Sequence, residues 1–288
     1  MGAQVSHRDV HFSSADGLAL YGRDYPAESD ATPLLCLAGL TRNVRDFEPL
    51  ARWLGGRRRL ITMDYRGRGR SAYAPDPLTY RPDVELADAL RLLDVLDIDQ
   101  VNVVGTSRGG IIAMIIAAQY PQRLRGVLLN DVGPVIEKAS LLRIRGYLGK
   151  AVSFATWDEA ATSLKRNHPG FETLSAAEWL AYARRVFIEK SGRVTNDYDL
   201  RLAEAFPTDE QIEQAESPNL WPLFDTLLTR PVAVLRAEHS DLLSEATVTQ
   251  MKKRHPLLAA HTIKDRGHVP FLDEPDAQAA IEAWLKVV

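Results

Sequence analysis

Val101-Asn102-Val103-Val104-Gly105-Thr106-Ser107-Arg108-Gly109-Gly110 decides how this chain reads. Residues 101–104 have the composition of a buried strand, and the run from Gly110 to Tyr120 is apolar and of helical length. Gly-x-Ser-x-Gly between a strand and a helix is the pattern of a nucleophile elbow. The serine occupies the apex of a sharp turn, and the flanking glycines let neighbouring backbone pack close around it. Its hydroxyl is then exposed at the carboxyl end of a sheet, above a helix N-terminus whose partial positive charge favours an anion.

Working outward, the pattern predicts strands at Asp9–Ser13 and Leu18–Tyr25 around Asp16-Gly17, at Pro33–Leu37, and at Arg59–Asp64. Further strands are expected at Leu124–Asn130, Pro231–Arg236 and Ala259–Ile263, and helices at Asp46–Leu54, Pro82–Leu96 and Asp276–Val287. Apolar strands alternating with helices predict a mainly parallel sheet covered on both faces. Between Val135 and Arg230 the strand signals disappear, yet this stretch holds half of the chain's Phe, Trp and Tyr residues. It is expected to form a helical cap, 135–230, whose inner face lines an apolar pocket over Ser107, on an α/β core of 1–134 and 231–288.

Bulk properties narrow the function. A chain of 288 residues buries a large core, and 45% hydrophobic with 25% charged residues is ordinary for a globular protein. A net charge of −3 offers no basic field for nucleic acid. The single cysteine, Cys36, excludes an internal disulfide and a multi-cysteine metal site, and reads as a buried strand thiol. Met1–Asp16 is polar, without a signal-peptide core, and no apolar run approaches the ~20 residues that span a bilayer. The expectation is a cytoplasmic monomer or homodimer acting on a small molecule, with no nucleic-acid or membrane partner, no metal and no cofactor.

A serine hydroxyl needs a base beside it at neutral pH. His268, in Asp265-Arg266-Gly267-His268-Val269-Pro270, follows the last strand and is expected at the same sheet edge as Ser107. His7, His11, His168, His255 and His261 lie elsewhere and are expected at the surface; His239 lies nearer the edge. The base needs an acid to fix its tautomer. Asp241, after the strand ending at Arg236, is the expected acid; Asp131, directly after the strand ending at Asn130, is the alternative. The developing oxyanion needs preorganised donors. The backbone N–H groups of Arg108 and Leu40 are the candidates, the latter in Ala38-Gly39-Leu40-Thr41-Arg42-Asn43. The side chains of Arg42 and Arg108 are expected to be structural or solvent-facing, with binding of a substrate carboxylate as the alternative. Asp64-Tyr65-Arg66-Gly67-Arg68-Gly69-Arg70-Ser71 lacks the spacing of a phosphate cradle. Asp64 and Arg66 are expected to tie its turn to neighbouring backbone.

Five features in this order resemble the α/β-hydrolase family: Gly39-Leu40, the 64–71 loop, Gly105–Gly110, the Asp241 loop and Gly267-His268. The resemblance covers nearly the whole chain. It implies an eight-stranded sheet with a helical cap inserted after the sixth strand. Ala38 stands where members often have histidine, a change that a backbone donor survives. Serine at the elbow sets the chain apart from the aspartate-bearing haloalkane dehalogenases and epoxide hydrolases and suits acyl transfer. The resulting expectation is a serine hydrolase that cleaves a carboxylic ester of a small-to-medium apolar or aromatic substrate. A lactonase or carbon–carbon bond hydrolase with the same triad is the alternative, and a small-ligand receptor without turnover the alternative of another class.

Overall fold

The computed structural model describes residues 6–216 and 218–288. Residues 1–5 of the polar N-terminal stretch lie outside it. The chain opens with a hairpin of β1 (Arg8–Ser13) and β2 (Ala19–Tyr25), followed by β3 (Leu34–Leu37), α1 (Glu48–Leu54), β4 (Leu60–Asp64) and α2 (Pro82–Val95). Strand β5 (Val101–Thr106) runs into α3 (Arg108–Gln119), and β6 (Leu124–Asn130) ends the first half. An inserted region then carries α4 (Lys138–Tyr147), β7 (Ser153–Phe154), α5 (Trp157–Asn167), α6 (Ala176–Val186), β8 (Phe187–Lys190), β9 (Arg193–Asn196), α7 (Asp209–Gln214) and α8 (Trp221–Asp225). Strand β10 (Val232–Ala237), α9 (Glu245–Arg254), β11 (Ala259–Ile263) and α10 (Pro275–Leu285) complete the chain. No helix among the described residues is long and apolar enough to cross a membrane.

The main sheet has eight strands in the order β1-β2-β4-β3-β5-β6-β10-β11. β1, β2 and β4 pair antiparallel, and from β4 to β11 every neighbouring pair is parallel. Central strands β3, β4 and β5 are buried along their whole length, as strands covered on both faces must be, whereas edge strand β1 is largely exposed. The chain passes from β3 to β4 on one side and returns to β5 on the other. A crevice opens at the carboxyl ends of the strands where the winding reverses. Leu37 pairs with Gly105 in register, so the loop after β3 meets the turn after β5.

That meeting is close. A Cβ on Gly109 would lie 2.1 Å from the Leu37 carbonyl oxygen, and one on Gly105 would lie 2.6 Å from the Gly110 Cα. The elbow glycines therefore let α3 lie directly on the end of β3.

The inserted region is less purely helical than its sequence predicts. β7, β9 and β8 form a three-stranded antiparallel sheet. The pairing of Lys190 with Arg193 leaves a two-residue turn, Ser191-Gly192, with φ of 53° and 72°. Positive φ at both central residues is what a tight hairpin requires, and Ser-Gly is its sequence signal. Burial in the region is also split. Ala160, Leu164, Phe171, Trp179, Tyr182 and Val194 belong to a cluster of their own. Ile144, Leu148, Tyr198 and Phe224 join the main core beneath.

Gly109→Ala places a methyl group against backbone that cannot move, and is expected to destabilise the fold by more than about 2 kcal/mol in urea unfolding. Gly146→Ala, where a Cβ meets nothing within 4 Å, is expected to leave stability unchanged or slightly raised.

Candidate active site

Ser107 sits between β5 and α3 with φ 51° and ψ −112°, outside the regions that side chains ordinarily adopt. The turn is held from both sides. Ser107 N–H donates to the Asn130 carbonyl (3.0 Å), and Gly110 N–H returns to the Ser107 carbonyl (2.9 Å). Asn130 Nδ2 donates to Thr106 Oγ1 (3.1 Å) and to the Pro270 carbonyl (3.0 Å), tying the elbow to the loop after β11.

That loop brings His268 to the serine. His268 Nε2 lies 3.0 Å from Ser107 Oγ, and Nδ1 lies 2.8 Å from Asp131 Oδ2. An ionised carboxylate only accepts, so Nδ1–H donates to Asp131 and the Nε2 lone pair accepts the serine proton. Asp131 is fully buried and takes two more hydrogen bonds, from Ala237 N–H to Oδ1 and from Ser240 Oγ to Oδ2, each 2.8 Å.

The expected pairing of Asp241 with His268 is therefore corrected: the acid on the imidazole is Asp131. Ser240 Oγ also accepts from the N–H groups of Leu242 and Leu243, which curls the loop after β10 into a tight turn. Residue 240 then faces inward, and the neighbouring Asp241 faces out to α4. There its carboxylate takes two hydrogen bonds from Arg143, while Ser140 Oγ donates to its carbonyl (2.6 Å). Burial pushes the Asp241 carboxyl up, but Arg143 holds it below the ordinary value. Asp131 adopts φ of 55°, a left-handed turn that aspartate tolerates. Position immediately after the strand beside β5 was the sequence signal that favoured it.

The loop after β3 runs past the elbow. Arg42 N–H donates to the Gly39 carbonyl (3.1 Å), and Arg68 Nε donates to the Leu40 carbonyl (2.8 Å). Both carbonyls that flank Leu40 are thereby fixed, and the N–H of a trans peptide points away from its carbonyl. Arg68 is anchored to Glu85 at 2.8 Å, and Arg108 Nε reaches the other oxygen of Glu85 at 3.2 Å. The Arg108 side chain is thus structural, leaving its backbone N–H at the first turn of α3, where helical N–H groups have no acceptor within the helix. In the 64–71 loop Asp64 does tie backbone, accepting from Val44 N–H and Arg70 N–H, each 2.8 Å. Burial pushes its carboxyl up to about 6. Arg66 differs from expectation: it binds the carboxylates of Asp88 and Asp16. Arg68 supplies the tie to backbone instead.

A cavity of about 350 Å³ opens over Ser107 and His268. Ile144, Val152, Phe154, Leu164 and Phe187 of the inserted region contribute to its apolar wall. The region is seated on the histidine loop. Phe171 stacks on Phe271 at 5.2 Å, and a Cβ on Gly267 would lie 2.4 Å from the Pro169 carbonyl oxygen. Arg42, for which the sequence left two roles open, lines the cavity with its guanidinium bound to Asp46 and stacked 5.0 Å over Tyr182. Two histidines expected at the surface are elsewhere: His255 is buried, and His168 lines the cavity. Burial lowers His168 to about 4, so it is neutral at pH 7.

A family model described as "alpha/beta hydrolase fold" matches residues 32–275. The 3-hydroxybutyrate-oligomer hydrolase of Cupriavidus necator is 34% identical over 254 residues, 86% of each chain. The 2-(acetamidomethylene)succinate hydrolase of Mesorhizobium japonicum is 28% identical over 260 residues, 89% of this chain and 88% of its own. Among solved structures, an alpha/beta hydrolase from Novosphingobium aromaticivorans superposes with a TM-score of 0.92 at 41% identity, covering 99% of this chain and 100% of its own.

A histidine whose value falls from 6.5 to about 4 on folding binds fewer protons folded than unfolded within that window. Stability from this group is therefore present above pH 6.5 and lost as the pH falls toward 4, by up to about 3 kcal/mol. His168→Gln is expected to flatten this acid-side loss in urea unfolding measured across the same range.

Proposed function

The chain belongs to the α/β-hydrolase fold family, and on that premise we propose that it is a serine hydrolase that cleaves a carboxylic ester through an acyl-enzyme. The observation that carries the reading is the unbroken line of hydrogen bonds from Ser107 Oγ through both nitrogens of His268 to the buried Asp131. As Oγ attacks the ester carbonyl carbon, its proton passes to His268 Nε2. The imidazolium is stabilised by Asp131, whose carboxylate holds Nδ1–H throughout. The carbonyl oxygen becomes an oxyanion and is met by the Leu40 and Arg108 backbone N–H groups. His268 then protonates the leaving alcohol. Water repeats the sequence in reverse roles: His268 removes its proton, the oxygen attacks the acyl carbon, and Ser107 regains its own. Protons and electrons balance with no cofactor.

In this reading residues 135–230 act as the cap, and the cavity beneath takes one small-to-medium acyl or alcohol group. The name of the Cupriavidus relative supports an ester, because oligomers of a hydroxy acid are joined by ester bonds. The Asp131 carboxylate is the proposed third member of the triad in place of Asp241.

Ser107→Ala is expected to abolish both turnover of 4-nitrophenyl esters and labelling by a fluorophosphonate, with the far-UV circular dichroism spectrum unchanged. Labelling that persists would identify another nucleophile. Asp131→Asn is expected to lower kcat by about 10⁴-fold, the cost of presenting the wrong imidazole tautomer. Asp241→Asn is expected to lower it by less than about tenfold. The reverse order would return the acid's role to Asp241.

A further inference from the structure

The cavity that covers Ser107 carries more positive charge than an apolar ester needs. Arg42, Arg143 and Lys150 line it, and no aspartate or glutamate does. Each arginine is held from outside. Asp46 binds Nε and Nη2 of Arg42, and Asp241 binds Nε and Nη2 of Arg143. Neither carboxylate lines the cavity. Both guanidiniums are therefore fixed along one edge, and among the described residues Nη1 of each has no hydrogen-bond partner. Lys150 follows the end of α4, in the loop where Lys150 N–H donates to the Tyr147 carbonyl (3.2 Å). Its ammonium has no carboxylate within ion-pair reach among the described residues.

Of the two arginines, Arg42 is the poorer candidate to grip a ligand, because its plane already lies over Tyr182. Arg143 on α4 and the exposed Lys150 on the turn that leaves it, seven positions apart, both line the cavity. A guanidinium with a free Nη1 and an unpaired ammonium lining the same cavity suit an anion with planar oxygens. The cavity lining also holds a neutral histidine, His168, and among the described residues no negative group.

We infer that the ester cleaved at Ser107 carries a free carboxylate elsewhere in the molecule, and that Arg143 and Lys150 bind it. The inference rests on the serine-hydrolase reading for its chemistry but has a readout of its own. Asp241 then acts as a positioning residue: it holds the Arg143 guanidinium with Nη1 turned to the substrate. The carboxylate takes no part in the bond changes. It sets which esters enter and in what orientation.

The test pairs each anionic ester with its neutral methyl ester: monomethyl with dimethyl glutarate, and 3-acetoxypropanoate with methyl 3-acetoxypropanoate. Their binding to Ser107→Ala is measured by titration calorimetry, so that no turnover is required. The anion of at least one pair is expected to bind tenfold or more tightly than its neutral partner. That margin should shrink at least fivefold in Ser107→Ala/Lys150→Gln or Ser107→Ala/Arg143→Gln, and shrink as salt is raised. In the active enzyme, the same preference should appear in kcat/KM through KM rather than kcat. Equal binding of anion and neutral ester in both pairs, or a preference untouched by both substitutions, overturns the inference while ester hydrolysis stands. Anion binding that meets these criteria in a protein that cleaves none of the four esters upholds the carboxylate site and removes the esterase reading instead.

Discussion

Helix α3 lies against the carboxyl end of β3 so closely that a single methyl group at Gly109 would enter the Leu37 carbonyl. Most of the site's geometry follows from that contact. It forces the chain to turn at Ser107 with a backbone conformation other residues rarely adopt, and it presents the serine oxygen away from the sheet. It also brings the loop after β3 against the elbow. The first N–H of α3 and the Leu40 N–H are the pair proposed as the oxyanion hole. The winding reversal between β3 and β5 makes this possible, because it leaves a crevice where two loops diverge from adjacent strand ends.

The second constraint is electrostatic. Asp131 is a fully buried carboxylate surrounded by donors: the imidazole Nδ1–H, a backbone N–H and a serine hydroxyl. Three hydrogen bonds replace the water that burial removes. The same donors hold His268 in one orientation, with Nε2 on the serine. Asp241 occupies the opposite situation. It is turned outward and already bound by Arg143, so its charge steadies an arginine on the cavity wall. Two aspartates after neighbouring strands thus have different work because a tight turn at Ser240 points consecutive residues in opposite directions.

Around this pair the molecule uses buried charge as scaffolding. Arg68 and Glu85, both fully buried, and the largely buried Arg108 form a chain that ends on the Leu40 carbonyl. Glu85 is the shared partner, so its loss would leave a fully buried Arg68 without its carboxylate. The inserted region is attached by a different means. Aromatic stacking at Phe171 and Phe271 and glycine contacts at Gly170 and Gly267 press it onto the loop that carries His268. The wall of the cavity and the loop that carries the histidine are consequently joined through this set of contacts.

The elbow, the sheet, the insertion after β6 and the identity of Ser107 and His268 as candidates were all legible in local patterns. Apolar runs, glycine spacing and the order of motifs are properties of short segments, and short segments determine strands, turns and helices. The Ser191-Gly192 hairpin carries an equally local signal, set among aromatic and helical patterns. What the amino-acid order by itself determined, then, was the fold and the set of groups brought to one edge of it. Which aspartate meets the imidazole, which arginine holds the Leu40 carbonyl, and which cations face the cavity were decided only by tertiary structure. Each depends on the direction a side chain takes from a turn packed against a distant segment, and that direction is not a property of the segment itself.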